Sequence, residues 1–249
     1  MSSREVVAGR PPARDDALHH ALLRHVREAA EAGVPLPGEF ELASRLGCTR
    51  QQLRHALSEL ETAGVIRRRQ GAPTTVDPVG LRMSVRLEEQ YEHTELLARL
   101  GYRATVEILE SVPAPLPPRI ATILDVEPGT PAYRTRKRWL ADDRPVMLAI
   151  GYVVMPDAAP RDLHDSVFTA VSQVWGEQLI WEVATPGAAI VEGADAADLG
   201  RPAGSPVMTL ELIGVSASGR RLFYGFEHHD PEIVRYSFVR TVRPPWNPA

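Results

Sequence analysis

Apolar residues recur at three- and four-residue intervals near the start of the chain. Leu18, Leu22, Val26 and Ala29 make one stripe. That period predicts an amphipathic helix capped at Asp15 or Asp16 and ended by Gly33. Pro35-Leu36-Pro37-Gly38 forces a turn, and a short helix over 39–46 follows, with Leu42, Ala43 and Leu46 inward and Gly47 as its C-terminal cap. Thr49 with Gln52 three residues on is a capping-box pattern, in which each side chain satisfies a free backbone N–H. It opens a third helix whose buried stripe is Leu53, Ala56, Leu57 and Leu60, ended by Gly64. Residues 65–69 and 73–76 are β-like and flank Gln70-Gly71-Ala72, which suits a hairpin. Residues 1–13 are polar and contain proline, the pattern of a flexible tail.

Past a linker at 77–80 the periodicity becomes mixed. Helices are predicted over 88–100, 118–124, 167–175 and 194–199. Strands are predicted over 104–110, 132–139, 146–154, 179–191, 207–216, 221–229 and 234–242, with hairpin turns at Asp142-Asp143 and Ser218-Gly219. This order argues for an α+β domain with a mainly antiparallel sheet. The 249 residues suffice for two modest domains.

No apolar run approaches the roughly 20 residues needed to cross a bilayer, and Met1-Ser2-Ser3-Arg4-Glu5 lacks the features of a secretory signal. A cytoplasmic protein without membrane contact is expected. Cys48 is the single cysteine, which excludes an intrachain disulfide and a cysteine-rich zinc site; it is expected to pack as a small hydrophobe. A net charge of −4 does not suit a protein that coats DNA. The basic residues are clustered, however, at Arg50/Arg54 and Arg67-Arg68-Arg69, and local clusters decide phosphate contact.

Two short helices joined at Gly47, the second with Arg50, Gln51 and Arg54 on its outer face, form a helix-turn-helix pattern. Arginine can donate two hydrogen bonds to guanine, glutamine can pair with adenine, and a helix N-terminus attracts phosphate. The alternative is a three-helix unit with a solvated arginine face. Arg134, Arg136 and Arg138 alternate along a strand and share one face. They repel one another unless they meet carboxylates, phosphates or solvent, so an anion pocket and a carboxylate-paired sheet face both remain open. Trp139, Trp175 and Trp181 could line a ligand site or fill a core. His228-His229 are neighbours on a strand and point to opposite faces, so no metal is expected there, and no cofactor is implied. No nucleophile, metal set or acid–base pair stands out, and an enzyme is not expected.

The stretch Leu36-Pro37-Gly38-Glu39-Phe40-Glu41-Leu42-Ala43, with Leu46-Gly47-Cys48-Thr49-Arg50, Leu53-Arg54-His55-Ala56-Leu57, Gly64-Val65-Ile66 and Arg69-Gln70-Gly71, resembles the winged helix of GntR-type regulators. Members of that family usually carry Ser in place of Gly38 and Arg in place of Phe40. The resemblance implies contacts to bases or phosphates by Arg50, Gln51 and Arg54 in the major groove and entry of the wing glycine Gly71 into the minor groove, with Thr49, Gln52 and Arg69 completing the expected DNA-binding set. Arg136-Lys137-Arg138-Trp139-Leu140-Ala141-Asp142-Asp143-Arg144-Pro145, Asp165-Ser166-Val167-Phe168 and Arg235-Tyr236-Ser237-Phe238 resemble the UTRA ligand-sensing domain of the HutC-like branch, related in fold to chorismate lyase. Ala149 and Val234 depart from that branch's usual Glu and Asp.

The resemblance thus implies an N-terminal winged helix-turn-helix over 14–77 and an α/β UTRA effector-binding and dimerisation domain over 82–243. Arg136, Arg138, Ser166, Glu227 and Tyr236 would hold a small-molecule effector, which is anionic in several members of the branch. The implied function is a repressor that binds a double-stranded operator as a homodimer and is controlled by that effector. A small-molecule binding module without regulatory activity, or a chorismate lyase-like enzyme, are the alternatives.

Overall fold

The computed structural model describes residues 5–7, 14–83, 85–157, 163, 166–238 and 240. The chain divides into two compact units. One comprises 12–91, 95–102 and 235–249; the other comprises 1–11, 92–94 and 103–234. Strand β1 (Glu5–Val7), which belongs to the second unit, is a correction to the expected flexible tail. It pairs antiparallel with residues 106–108 of the sheet, where a run ending in two valines suits strand pairing. The rest of the expected tail, 1–4 and 8–13, lies outside the described residues.

In the first unit, α1 (Arg14–Ala32), α2 (Glu39–Leu46) and α3 (Arg50–Thr62) follow the apolar stripes. Leu22, Val26, Leu42, Leu53, Leu57 and Leu60 are all buried in one core, with Cys48 half-buried against it. Gly47 closes α2 with φ 62, a conformation that costs glycine little. The hairpin β2 (Ile66–Arg67) and β3 (Thr75–Val76) is shorter than its β-like flanks and pairs Ile66 with Val76.

The expected linker is instead helix α4 (Pro78–Arg82). The Asp77 carboxylate accepts from the N–H groups of Val79 (2.9 Å) and Gly80 (3.3 Å), and Pro78 occupies a first-turn position where no N–H is needed. A Cβ on Gly80 would stand 1.9 Å from the Gly64 carbonyl oxygen, so only glycine lets this helix lie so close.

Helix α5 (His93–Arg99) starts later than the expected 88. The segment before it is used elsewhere: the Leu87 N–H donates to the Ser237 carbonyl (2.9 Å) and the Ser237 N–H to that of Val85 (3.3 Å). Among the described residues, the expected strand 234–242 is reduced to this bridge between Arg86 and Ser237. Residues 239, 241 and 242 lie outside them.

In the second unit the elements are β4 (Ala104–Pro115), α6 (Pro118–Leu124), β5 (Pro131–Ala141), β6 (Arg144–Val154), α7 (Val167–Trp175), β7 (Leu179–Val191), α8 (Gly193–Asp198), β8 (Ser205–Ser216) and β9 (Arg221–His229). The sheet is antiparallel throughout, in the order β1-β4-β5-β6-β9-β8-β7. Strand β4 runs past its expected end through Pro113 and Pro115. There, among the described residues, it pairs with β5 alone, so its prolines break no described ladder on the other side. Asp142 and Asp143, both at positive φ (48 and 71), form the two-residue turn between β5 and β6. Such turns match the twist of their strands. Central strand β6 carries the buried Val146, Met147 and Leu148.

Candidate functional site

The capping box at the start of α3 is complete. The Gln52 N–H donates to Thr49 Oγ1 (3.2 Å), the Thr49 N–H to Gln52 Oε1 (3.0 Å), and the Thr49 hydroxyl to Gln52 Oε1 (2.9 Å). Burial of Leu53, Ala56, Leu57 and Leu60 fixes the helix's rotation, which leaves Arg50, Gln51 and Arg54 exposed. Arg50 and Arg69 make no ion pair among the described residues, and Gly71 turns the wing at φ 74.

Arg54 is not free. Its Nε donates to Glu39 Oε2 (2.8 Å), and Arg68 reaches the other oxygen of Glu39 (2.9 Å). The Arg54 hydrogen bond, reinforced by Arg68, holds the Glu39 carboxyl below its ordinary range. Arg67 is likewise held by Asp77 (2.5 Å). Of the clustered arginines, Arg50 and Arg69 therefore present unneutralised charge. Phe40, 80% exposed, stands beside Glu39 at the start of α2. No local pattern marks Glu39 as an arginine clamp, because its partners lie 15 and 29 residues away.

Of the expected effector residues, Arg136 and Arg138 lie on one face of the sheet and Glu227 on the other. Register places Arg138, Leu148 and His228 in one row across the sheet, and Arg136, Ile150 and Phe226 in another, all on one face. Lys137, Ala149 and Glu227, and Trp139, Met147 and His229, form the rows of the opposite face. Arg134, Arg136 and Arg138 do share a face, as alternation requires, and each meets carboxylates. Arg134 is paired with Glu110. Arg136 binds Asp195 (2.7 Å) and Asp198 (2.8 Å) of α8. Arg138 binds Glu107 (2.6 Å) and the Asp198 carbonyl (3.0 Å). Ser166 caps α7 and is bonded to Glu92. Tyr236 belongs to the first unit.

On the face opposite the arginines, Glu227 links two imidazoles. His93 Nε2 lies 2.9 Å from its Oε1, and His229 Nε2 lies 2.8 Å from its Oε2. The indole of Trp139 stacks on His93 at 4.5 Å and 24°. Burial is the largest single influence on His93 and would lower its pKa, but the charge and hydrogen bond of Glu227, with the charges of Glu182 and Glu92, together raise it. Glu227 is pulled down against its own burial by His93 and His229. Close by, burial and the charge of Glu227 push the Glu182 carboxyl up to about 7. The sequence had His229 on the face opposite His228, but nothing local joined it to His93. Of the three tryptophans, Trp175 donates to the Val154 carbonyl (2.8 Å) and Trp181 is 67% exposed. Among the described residues, no helix is long and apolar enough to cross a membrane.

Comparison with known proteins agrees with this architecture. The model of bacterial regulatory proteins of the gntR family matches residues 16–76, and the UTRA domain model matches residues 99–235. An HTH-type transcriptional regulator of Mycobacterium tuberculosis, Rv0792c, is 30% identical over 225 residues, covering 87% of this chain and 81% of that protein. The histidine utilization repressor of Pseudomonas aeruginosa is 30% identical over 131 residues, about half of each chain (51% of both). The crystal structure of PhnF from Mycobacterium smegmatis superposes with a TM-score of 0.54 at 20% identity, over 88% of this chain and 100% of that one. With a winged helix whose recognition surface is capped and charged, followed by an antiparallel UTRA sheet, the chain belongs to the GntR family of bacterial transcriptional regulators, in the group that carries a UTRA domain.

Proposed function

We propose that this regulator is a cytoplasmic, effector-controlled repressor rather than an enzyme, and that it binds a double-stranded operator as a homodimer. The division proposed is a DNA-binding domain over 14–77 and an effector-binding and dimerisation domain over 82–243. The observation that carries the reading is the capped N-terminus of α3, which presents Arg50 and Gln51 exposed, with Arg50 in no ion pair among the described residues. The cap orders the first turn of α3, and the helix dipole favours phosphate near that end. Thr49, Gln52, Arg54, Arg69 and Gly71 complete the proposed DNA surface. Repression is supported by the name of the Pseudomonas relative.

Dimer formation is supported by β7. It pairs with β8 alone among the described residues, and Ile180, Trp181, Val183 and Ile190 are exposed along it. A long apolar edge strand left bare invites association. Arg136 and Arg138 are the proposed effector contacts. An anion that reached Arg136 would compete with Asp195 and Asp198 and so loosen α8, a coupling that needs no other contact. A gel-shift titration on the DNA upstream of its own gene tests the central claim. A salt-sensitive, sequence-selective complex is expected, and its absence for folded protein refutes the proposal. Trp181→Glu should convert a dimer to a monomer in analytical ultracentrifugation. A wild-type monomer, or a variant that stays dimeric, removes β7 as the interface.

A further inference from the structure

The cluster on the face opposite the arginines has a composition that sheet packing alone does not account for. Two imidazoles and two carboxylates gather there, largely out of solvent. The His229 side chain is 0% exposed, that of Glu227 6% and that of His93 12%. We propose that His93, His229 and Glu227 form a binding site for a zinc-class divalent metal ion, a site that goes beyond the DNA-binding reading and does not depend on it.

The geometry is close to what such an ion needs. One ligand atom from each of the three residues lies within 4.8 Å of the other two. Bonds of about 2.0–2.1 Å in a tetrahedron put ligand atoms about 3.3 Å apart, so the widest pair has to close by up to about 1.5 Å. Side-chain rotation can supply that, because Glu227 already reaches both Nε2 atoms, at 2.9 and 2.8 Å. A two-histidine, one-carboxylate set suits zinc and its neighbours and leaves a coordination position open.

Two further observations point to a cation. Glu182 Oε2 is buried with no hydrogen-bond partner among the described residues, and its charge acts on both Glu227 and His93. Two carboxylates driven together away from water need positive charge beside them, which either a bound metal ion or a protonated His93 can supply. Trp139, stacked on His93, also restrains the ring plane, which is the kind of support that ligand imidazoles receive from their surroundings. The competing account is a purely hydrogen-bonded His–Glu–His clamp, complete without a metal.

The test uses the full chain, stripped with a chelator and titrated with Zn²⁺ against a chromophoric competitor, and separately with Co²⁺ while the visible spectrum is read. One equivalent per chain is expected, with the intense visible bands of low-coordinate cobalt. His93→Ala and Glu227→Gln should each weaken binding by about tenfold or more. His93 is the most exposed of the three, so the His93 variant has the better prospect of folding, to be checked by circular dichroism. His228→Ala, on the other face of the sheet, should bind as wild type does. No saturable binding by the wild type, or binding that both His93→Ala and Glu227→Gln leave intact, overturns the site and favours the hydrogen-bonded clamp. Neither result bears on whether the protein binds an operator.

Discussion

Replacing Thr49 by Ala isolates the link between local structure and DNA recognition. The substitution deletes the acceptor of the Gln52 N–H (3.2 Å) and the hydroxyl that donates to Gln52 Oε1 (2.9 Å), while the bond from the Thr49 N–H to that oxygen (3.0 Å) can persist. All these groups are exposed, so water replaces part of what is lost. The expected cost is about 1 kcal/mol, in the usual range of about 0.5–2 for an N-cap. For a domain of this size that corresponds to a fall of roughly 4–8 °C in the midpoint of its transition. Since Arg50 and Gln51 occupy the turn that the cap secures, fraying also removes them from position. A loss of 1 kcal/mol confined to that turn would weaken operator binding by about fivefold. Hydrogen exchange at the Gln52 and Leu53 amides, read beside fluorescence anisotropy with operator DNA, separates the two effects. Thr49→Ser keeps the oxygen and should stay within a few tenths of a kcal/mol of wild type. The reasoning fails if Thr49→Ala exchanges and binds like the wild type. It fails equally if Thr49→Ser is as impaired as Thr49→Ala, since the methyl group would then be what matters.

Other outcomes follow from the same geometry. Arg50→Ala should lose about 1–3 kcal/mol of operator affinity while melting unchanged; equal loss on random DNA would reassign it from base to phosphate contact. Gly80→Ala forces a Cβ to within 1.9 Å of the Gly64 carbonyl. It should cost about 1–3 kcal/mol or more in a denaturant titration of the winged helix, and an unchanged midpoint would mean that α4 does not pack as described. The Glu39 carboxyl is held below its ordinary value of 4.5, mainly by Arg54 and also by Arg68. A lowered folded-state pKa gives stability that is present above 4.5 and lost as pH falls below it. The excess stability of wild type over Glu39→Gln should therefore shrink between about pH 5 and pH 3; growth of that difference on acidification would contradict the ion pairs.

The DNA-binding half was legible because its determinants are local. A capping box spans four residues, a helix stripe repeats every three or four, and Gly47 and Gly64 mark ends by their own conformational freedom. The misreadings arose where a distant segment claimed the chain. Asp77-Pro78-Val79-Gly80 reads as a linker, but Asp77 caps a helix there and Gly80 lets that helix lie against Gly64. Residues 88–92 read as helical but lie outside α5, next to Val85 and Leu87, whose backbone groups pair with Ser237.

For the sheet unit, the sequence by itself determined which residues of one strand share a face, since alternation is a property of the backbone. Arg134, Arg136 and Arg138 accordingly lie together, and His228 and His229 lie apart. What it could not determine is which residues of different strands meet, because that depends on register, and a one-residue slip exchanges the faces. A register shift between Trp139 and Leu140 lies next to the arginine run. Tertiary structure alone set Arg136 against α8, separated Arg136 and Arg138 from Glu227, and brought His93 from a distant helix to Glu227 and His229. Contacts among groups far apart in the chain are decided by how whole elements bury their apolar faces, and no local spacing records that choice.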